Sequence, residues 1–229
     1  MIHTKRRWAV LLAASLYLMA STAGTLLYGF FNDRGTVAGW SDFSGWNYFK
    51  MFTTDSNLLA GLVAVATAWC AWQCLRGRRK EMPRGVVVWL LTAAGGVALT
   101  FVTAALFLGP MMVVMGAPYW SIFGQEAFFL HLLNPLVTAA MLVWLVQPHR
   151  LTLRDALIAM IPMVLYSAVY GVCVVGTGWW NDFYGFTFGG HYAVLLAVYP
   201  LMYGLTFLLI WGLRCAHNAV AARWPSSDR

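Results

Sequence analysis

Six stretches of the chain stay apolar long enough to cross a hydrocarbon layer, about 20 residues at a rise of about 1.5 Å per residue. They lie near residues 8–30, 51–75, 86–109, 121–146, 154–176 and 191–214. The connections between them hold the charge and the chain-breaking residues. Cys74 to Gly85 is a charged turn, and Gln147-Pro148-His149-Arg150 ends the fourth stretch. Thr152-Leu153-Arg154-Asp155 has the spacing of a capping box at the start of the fifth. The pattern predicts an all-α, polytopic membrane protein with six transmembrane helices in one domain, residues 1–229. No internal repeat is visible, so the inverted-repeat layout of many secondary transporters finds no support.

Composition agrees: 61% of residues are hydrophobic, 10% are charged and the mean hydropathy is +0.68. Nothing is left over for a separate soluble domain. Thirteen of the fifteen Lys and Arg residues fall on one side of the predicted topology, with only Arg34 and Lys50 on the other. Cytoplasmic connections carry the excess of positive charge, so both termini are expected in the cytoplasm. The net charge of +7 follows from that asymmetry and from attraction to anionic lipid heads, not from nucleic-acid binding. The first apolar run, from Trp8 to about Phe31, exceeds the ~7–15 residues of a secretory signal and reads as a retained span. Cys70, Cys74, Cys173 and Cys215 have neither the compartment for disulfides nor a zinc pattern, and packing is their expected role.

The polar residues inside the apolar stretches carry the chemistry. Hydroxyls, amides and ionisable groups at membrane depth cost free energy unless they find partners. On the second helix Thr53, Ser56 and Asn57 are spaced i, i+3, i+4 and are expected to share one side, with Asp55 directed toward the outer water boundary. On the fourth, His131, Asn134 and Thr138 form a similar stripe. Pro135 lacks an N–H, which frees the carbonyl of residue 131 and kinks the helix. Counted from Lys50 and Gly124, Thr53 lies about 5 Å and His131 about 10 Å inside the outer boundary.

A threonine hydroxyl becomes a nucleophile when a neighbouring base takes its proton, and a histidine in apolar surroundings tends to stay neutral, as a base must. Thr53 and His131 are the candidate couple, with Ser56, Asn57 and Asn134 as donors to a developing oxyanion. The same residues suit helix–helix hydrogen bonding without chemistry. Glu126 reads as a near-surface partner or a proton relay, and His191 as an interfacial residue or a second base. Thr100, Thr103, Tyr166, Tyr170, Tyr199, Tyr203 and Thr206 keep helical spacing suited to interhelical contact or substrate lining. The Gly-rich, aromatic run from Gly176 to Gly190 reads as a belt anchor or as the lid of a cleft. The scattered histidines and carboxylates make no convincing metal site, and no cofactor is expected.

Phe52-Thr53-Thr54-Asp55-Ser56-Asn57-Leu58-Leu59 resembles the Phe-Thr-x-x-Ser-Asn-Leu-Leu pattern of a bacterial group of six-span membrane proteins. That group is related to the androgen-induced and androgen-dependent TFPI-regulating protein family, also called FAR-17a-like. Leu130-His131-Leu132-Leu133-Asn134-Pro135 resembles the same families' histidine followed by proline. Gly178-Trp179-Trp180 leading to Phe186-Thr187-Phe188 is similar to their aromatic loop, although Asn181 to Gly185 departs from the usual Tyr-Pro. The resemblance runs from about residue 45 to 215. It implies a threonine hydrolase of fatty acid esters of hydroxy fatty acids, with Thr53 as nucleophile, His131 as base and Thr54 as an adjacent hydroxyl.

The expected partners are therefore membrane lipids and a lipid-like ester substrate, in a multi-pass protein of the cell membrane. A carrier or receptor for a small amphiphile would use the same cavity without chemistry, and a structural protein would use the polar stripes only as helix–helix contacts.

Overall fold

Long apolar runs with internal backbone hydrogen bonding fold here into helices throughout, and no strand forms among the described residues. The computed structural model describes residues 2–32, 44–146, 149–187 and 189–223, with backbone alone for residues 2–4. Arg34, Gln147, Pro148, Phe188 and Arg229 lie outside them. The helices are α1 (Ile2–Phe31), α2 (Phe52–Leu75), α3 (Arg84–Val114), α4 (Phe129–Leu145), α5 (Leu153–Gly176) and α6 (Tyr192–Ala222). Five of these, all but α4, are long and apolar enough to cross a membrane.

The fourth apolar stretch yields a shorter helix than its 26-residue hydropathy window. Tyr119–Phe123 forms a 3-10 turn, and Gln125 takes a left-handed φ of 51°. That conformation is unfavourable for a residue with a Cβ and breaks the helical run. The uninterrupted part, Phe129–Leu145, is 17 residues or about 26 Å long. His131 therefore sits near the start of its helix, not seven residues along a continuous one. At the other extreme α6 runs past residue 214 to Ala222.

Helix α3 is the hub, packing against α2, α4, α5 and α6, while α1 lies along α2 and α4. Val63, Ala64, Leu90, Leu91, Ala94, Val97, Met141, Leu142 and Ile210 form the buried centre. Small residues permit the close approaches. A Cβ on Gly61 would stand 2.8 Å from the Thr22 Cγ2, so α1 and α2 could not meet as they do with any larger residue there. The bundle exterior carries exposed Leu16, Leu62, Trp69, Leu136, Leu165, Leu201 and Leu208, as a lipid-facing surface requires.

The two ends of the bundle differ. At one, called here the basic end, the predicted capping box is present at Thr152 and Asp155, and Asp155 also accepts from Arg84 at 2.6 Å. Arg84 and Arg214 donate to the carbonyls of Arg150 and Leu151, and the His217 ring bridges the Leu142 and His149 carbonyls at 2.7 and 2.6 Å. At the opposite, aromatic end lie Lys50, the start of α2 and the loop after α5.

Two π-helical turns share one cause. In α3 the Gly109 N–H donates to the Ala104 carbonyl five residues back, and in α4 the Asn134 N–H donates likewise to Phe129. The next residue in each case is proline, Pro110 or Pro135, which has no N–H for the following carbonyl. The Ala105 and Leu130 carbonyls are thereby left open. Tyr119 donates to the first at 2.7 Å and Asn57 to the second at 3.2 Å. The acceptor that Pro135 leaves to another helix is thus that of Leu130, one residue earlier than the regular α-helical count gives.

Candidate functional site

The Leu130 carbonyl brings α2 and α4 together beside His131. Asn57 donates to it and, at 2.8 Å, to the Thr53 carbonyl, while its own Oδ1 accepts from Asn134 at 2.9 Å. Asn134 Oδ1 in turn accepts from Ser21 at 2.6 Å and from Tyr17 at 3.4 Å. Both asparagines are fully buried. Every oxygen and both amide hydrogens of Asn57 are engaged, so in this arrangement it positions helices and has no donor left for an oxyanion. Asn134 has one amide hydrogen committed to Asn57.

The contribution of α1 went unread in the sequence, although Tyr17, Ser21 and Thr25 are spaced i, i+4, i+8 and signal a polar stripe. Ser56 turns the other way. Its hydroxyl meets Thr100 on α3 at 3.0 Å, and Gly96 lies beneath it. Thr53, Ser56 and Asn57 therefore do not converge: Asn57 faces α4 and α1, Ser56 faces α3, and Thr53 lies on the arc between them, partly exposed. Thr54 is fully buried and its Oγ1 has no hydrogen-bond partner among the described residues.

His131 is buried, its ring nearly perpendicular to that of Phe123 with centroids 6.4 Å apart. Its Nδ1 lies 2.8 Å from the Ile122 carbonyl. A carbonyl only accepts, so Nδ1 carries the proton, and in the neutral ring Nε2 is the nitrogen with the lone pair. The 3-10 turn before α4, which shortened the helix, is what brings Ile122 back over this ring.

The aromatic loop closes the same end of the bundle. Asp182 accepts from Tyr170 at 2.6 Å, from the Thr187 N–H and hydroxyl at 2.6 Å each, and from the Phe186 N–H at 3.0 Å. Burial pushes this carboxyl up, but the Thr187, Tyr170 and backbone donors outweigh it and hold it below the ordinary carboxylate value. The rings of Trp180, Phe183, Tyr184 and Phe186 pack around Tyr170. Tyr184 accepts from the Phe52 N–H at 2.9 Å, and Tyr166 donates to the Lys50 carbonyl at 2.7 Å. The loop thus caps the first turn of α2, one residue from Thr53, while Trp179 remains exposed as a belt residue would.

Two cavities open at this end. One, about 520 Å³, lies between α1 and the entry to α4 and is lined by Ser21, Thr25, Tyr28, Glu126 and Phe129. Glu126 is buried, whereas His191 is exposed at the start of α6. The other cavity, about 450 Å³, lies among α2, α3, α5 and α6 and is lined by Phe52, Asp55, Ser56, Thr92, Tyr166 and Trp180, among others. Asp55 thus borders this cavity at the aromatic end, partly exposed. Comparison of the chain with protein-family models, with curated proteins and with solved structures yields no match.

Proposed function

We propose that the chain is an intramembrane hydrolase of fatty acyl esters, with Thr53 as nucleophile and His131 as base. One observation carries this reading: the Ile122 carbonyl fixes the His131 tautomer that leaves Nε2 as proton acceptor, at the junction where α4 is bonded to the α2 segment bearing Thr53. Exposure favours Thr53 over Thr54, since an ester must reach the hydroxyl and that of Thr54 is fully enclosed. Thr53 also lies in the first turn of α2, where the positive end of the helix dipole stabilises a developing negative charge. The resemblance of residues 52–59 and 130–135 to the threonine-hydrolase family points the same way.

In the reaction the Thr53 Oγ attacks the ester carbonyl carbon while His131 Nε2 takes its proton. Collapse of the tetrahedral intermediate breaks the ester C–O bond, and the alcohol leaves with the proton that His131 returns. Water then gives a proton to the same nitrogen and attacks the acyl carbon; the bond from that carbon to the Thr53 Oγ breaks, the fatty acid leaves, and His131 returns the proton to the Thr53 oxygen. The cleft lined by Ser21, Glu126 and Phe129 is the proposed entry for the acyl chain, since Ser21 both lines it and bonds Asn134.

We place the protein in the cell membrane with α4 as a sixth span and both termini in the cytoplasm. The convergence of Arg84, Arg150 and Arg214 at one end supports that orientation. The full chain in lipid nanodiscs should release fatty acid from a long-chain hydroxy-fatty-acid ester. Thr53→Ala and His131→Ala should each lower turnover by about 100-fold or more, and Thr54→Ala should retain it. Equal turnover in all four proteins would refute the assignment.

A further inference from the structure

We propose that the cavity among α2, α3, α5 and α6 is a binding site for a cationic amphiphile, an alkylammonium whose head pairs with Asp55 and whose tail extends toward Ala159. This site is separate from the Thr53 and His131 pair and does not rest on the hydrolase reading.

The cavity is polarised along its length. At the aromatic end stand Phe49, Phe52, Tyr166 and Trp180 with the Asp55 carboxyl, and deeper lie Leu59, Ala159 and Met163. Ala159 and Val169 both line it, ten residues apart on α5, which gives a slot about 15 Å long. Its volume of about 450 Å³ lies within the roughly 300–1,000 Å³ of small-molecule sites. The kink of α5 helps to open it: Met160 ends one helical segment, and Pro162 stands in the first turn of the next.

The Asp55 carboxyl makes no hydrogen bond or ion pair among the described residues, while its backbone N–H donates to the Met51 carbonyl. A carboxylate in the first turn of α2 complements the helix dipole, which accounts for the charge but not for its facing a space walled by rings. Aromatic faces carry negative potential and favour cations. Lys50 demonstrates this at the mouth, its ammonium lying 5.7 Å from the centre of the Trp180 ring. Among the described residues no Lys or Arg lines the cavity itself. One unpaired carboxylate, several rings and an apolar floor select a positively charged head on a hydrocarbon chain over an anionic or neutral one.

The test is equilibrium binding of radiolabelled decyltrimethylammonium to the full chain in neutral phosphatidylcholine nanodiscs, with empty nanodiscs subtracted. Saturable binding is expected, displaced by unlabelled decyltrimethylammonium but only weakly by decanoate or decanol. Asp55→Asn should weaken it about tenfold or more, and Lys50→Met, which removes the competing ammonium, should tighten it. Glu126→Gln, in the other cleft, should leave it unchanged. Absence of saturable binding, displacement by decanoate or decanol as effective as by the cation, or undiminished affinity in Asp55→Asn would each overturn the proposal. The competition order in the unmodified chain decides the matter even if Asp55→Asn does not fold. Loss of ester turnover in Thr53→Ala with cation binding intact would separate this site from the hydrolase centre.

Discussion

Asn57 on α2 donates to the Leu130 carbonyl on α4 at 3.2 Å, and Pro135 is the reason that carbonyl is open. An imino acid on one helix thus creates an acceptor that an amide on another satisfies. Without that amide a buried carbonyl would be unpaired in an apolar bundle, at a cost of about 1–3 kcal/mol.

Removing either member of the Asn57 and Asn134 pair should therefore destabilise the bundle, and the two effects should not add. A double-mutant cycle with Asn57→Ala and Asn134→Ala, read by unfolding in mixed micelles, should give a coupling of about 0.6–2 kcal/mol. A coupling of zero would mean that the 2.9 Å contact between them contributes nothing.

Pro135→Ala restores an N–H that can serve the Leu130 carbonyl from within α4. In that background Asn57→Ala should cost less than in the unmodified chain, by about 1 kcal/mol. An unchanged cost would show that the proline does not create the vacancy.

Much of this architecture was legible in the sequence, and the parts that were not have identifiable causes. Hydropathy placed α2 and α5 within a residue or two, because apolar length alone decides a helix in lipid. It overran α4, because Gln125 adopts a left-handed backbone that no apolar count registers. Spacing put Thr53, Ser56 and Asn57 on one face, yet Ser56 and Asn57 are about 100° apart around a helix, enough to reach different neighbours. The Tyr184 cap on Phe52 depends on a loop returning across 132 residues, and no local signal announces such a contact.

Tyr184→Phe keeps the ring packing but deletes the acceptor of the Phe52 N–H. Hydrogen exchange at Phe52 should speed up by about fivefold, the equivalent of ~1 kcal/mol. Ester turnover should fall with it, because Thr53 is the next residue. Unchanged exchange would show that the cap does not hold the first turn of α2.

The Asp182 knot gives a pH dependence with a definite sign. Its folded-state value lies below the ordinary carboxylate value of 3.8, so its stabilisation is complete above that value and is lost as pH falls through the lower one. Near-UV circular dichroism of the aromatic loop should weaken over that acid range. Asp182→Asn should remove the dependence and weaken loop order by about 1–3 kcal/mol at neutral pH. An acid transition identical in Asp182→Asn would assign the effect to another group.

The central claim, that α2 and α4 unite one threonine with one histidine base, is tested most directly by mapping the covalent adduct of a fluorophosphonate lipid probe by mass spectrometry. The account predicts an adduct on Thr53 that persists in Thr54→Ala and disappears in His131→Ala. An adduct on another residue, one indifferent to His131, or none at all in folded protein would contradict it.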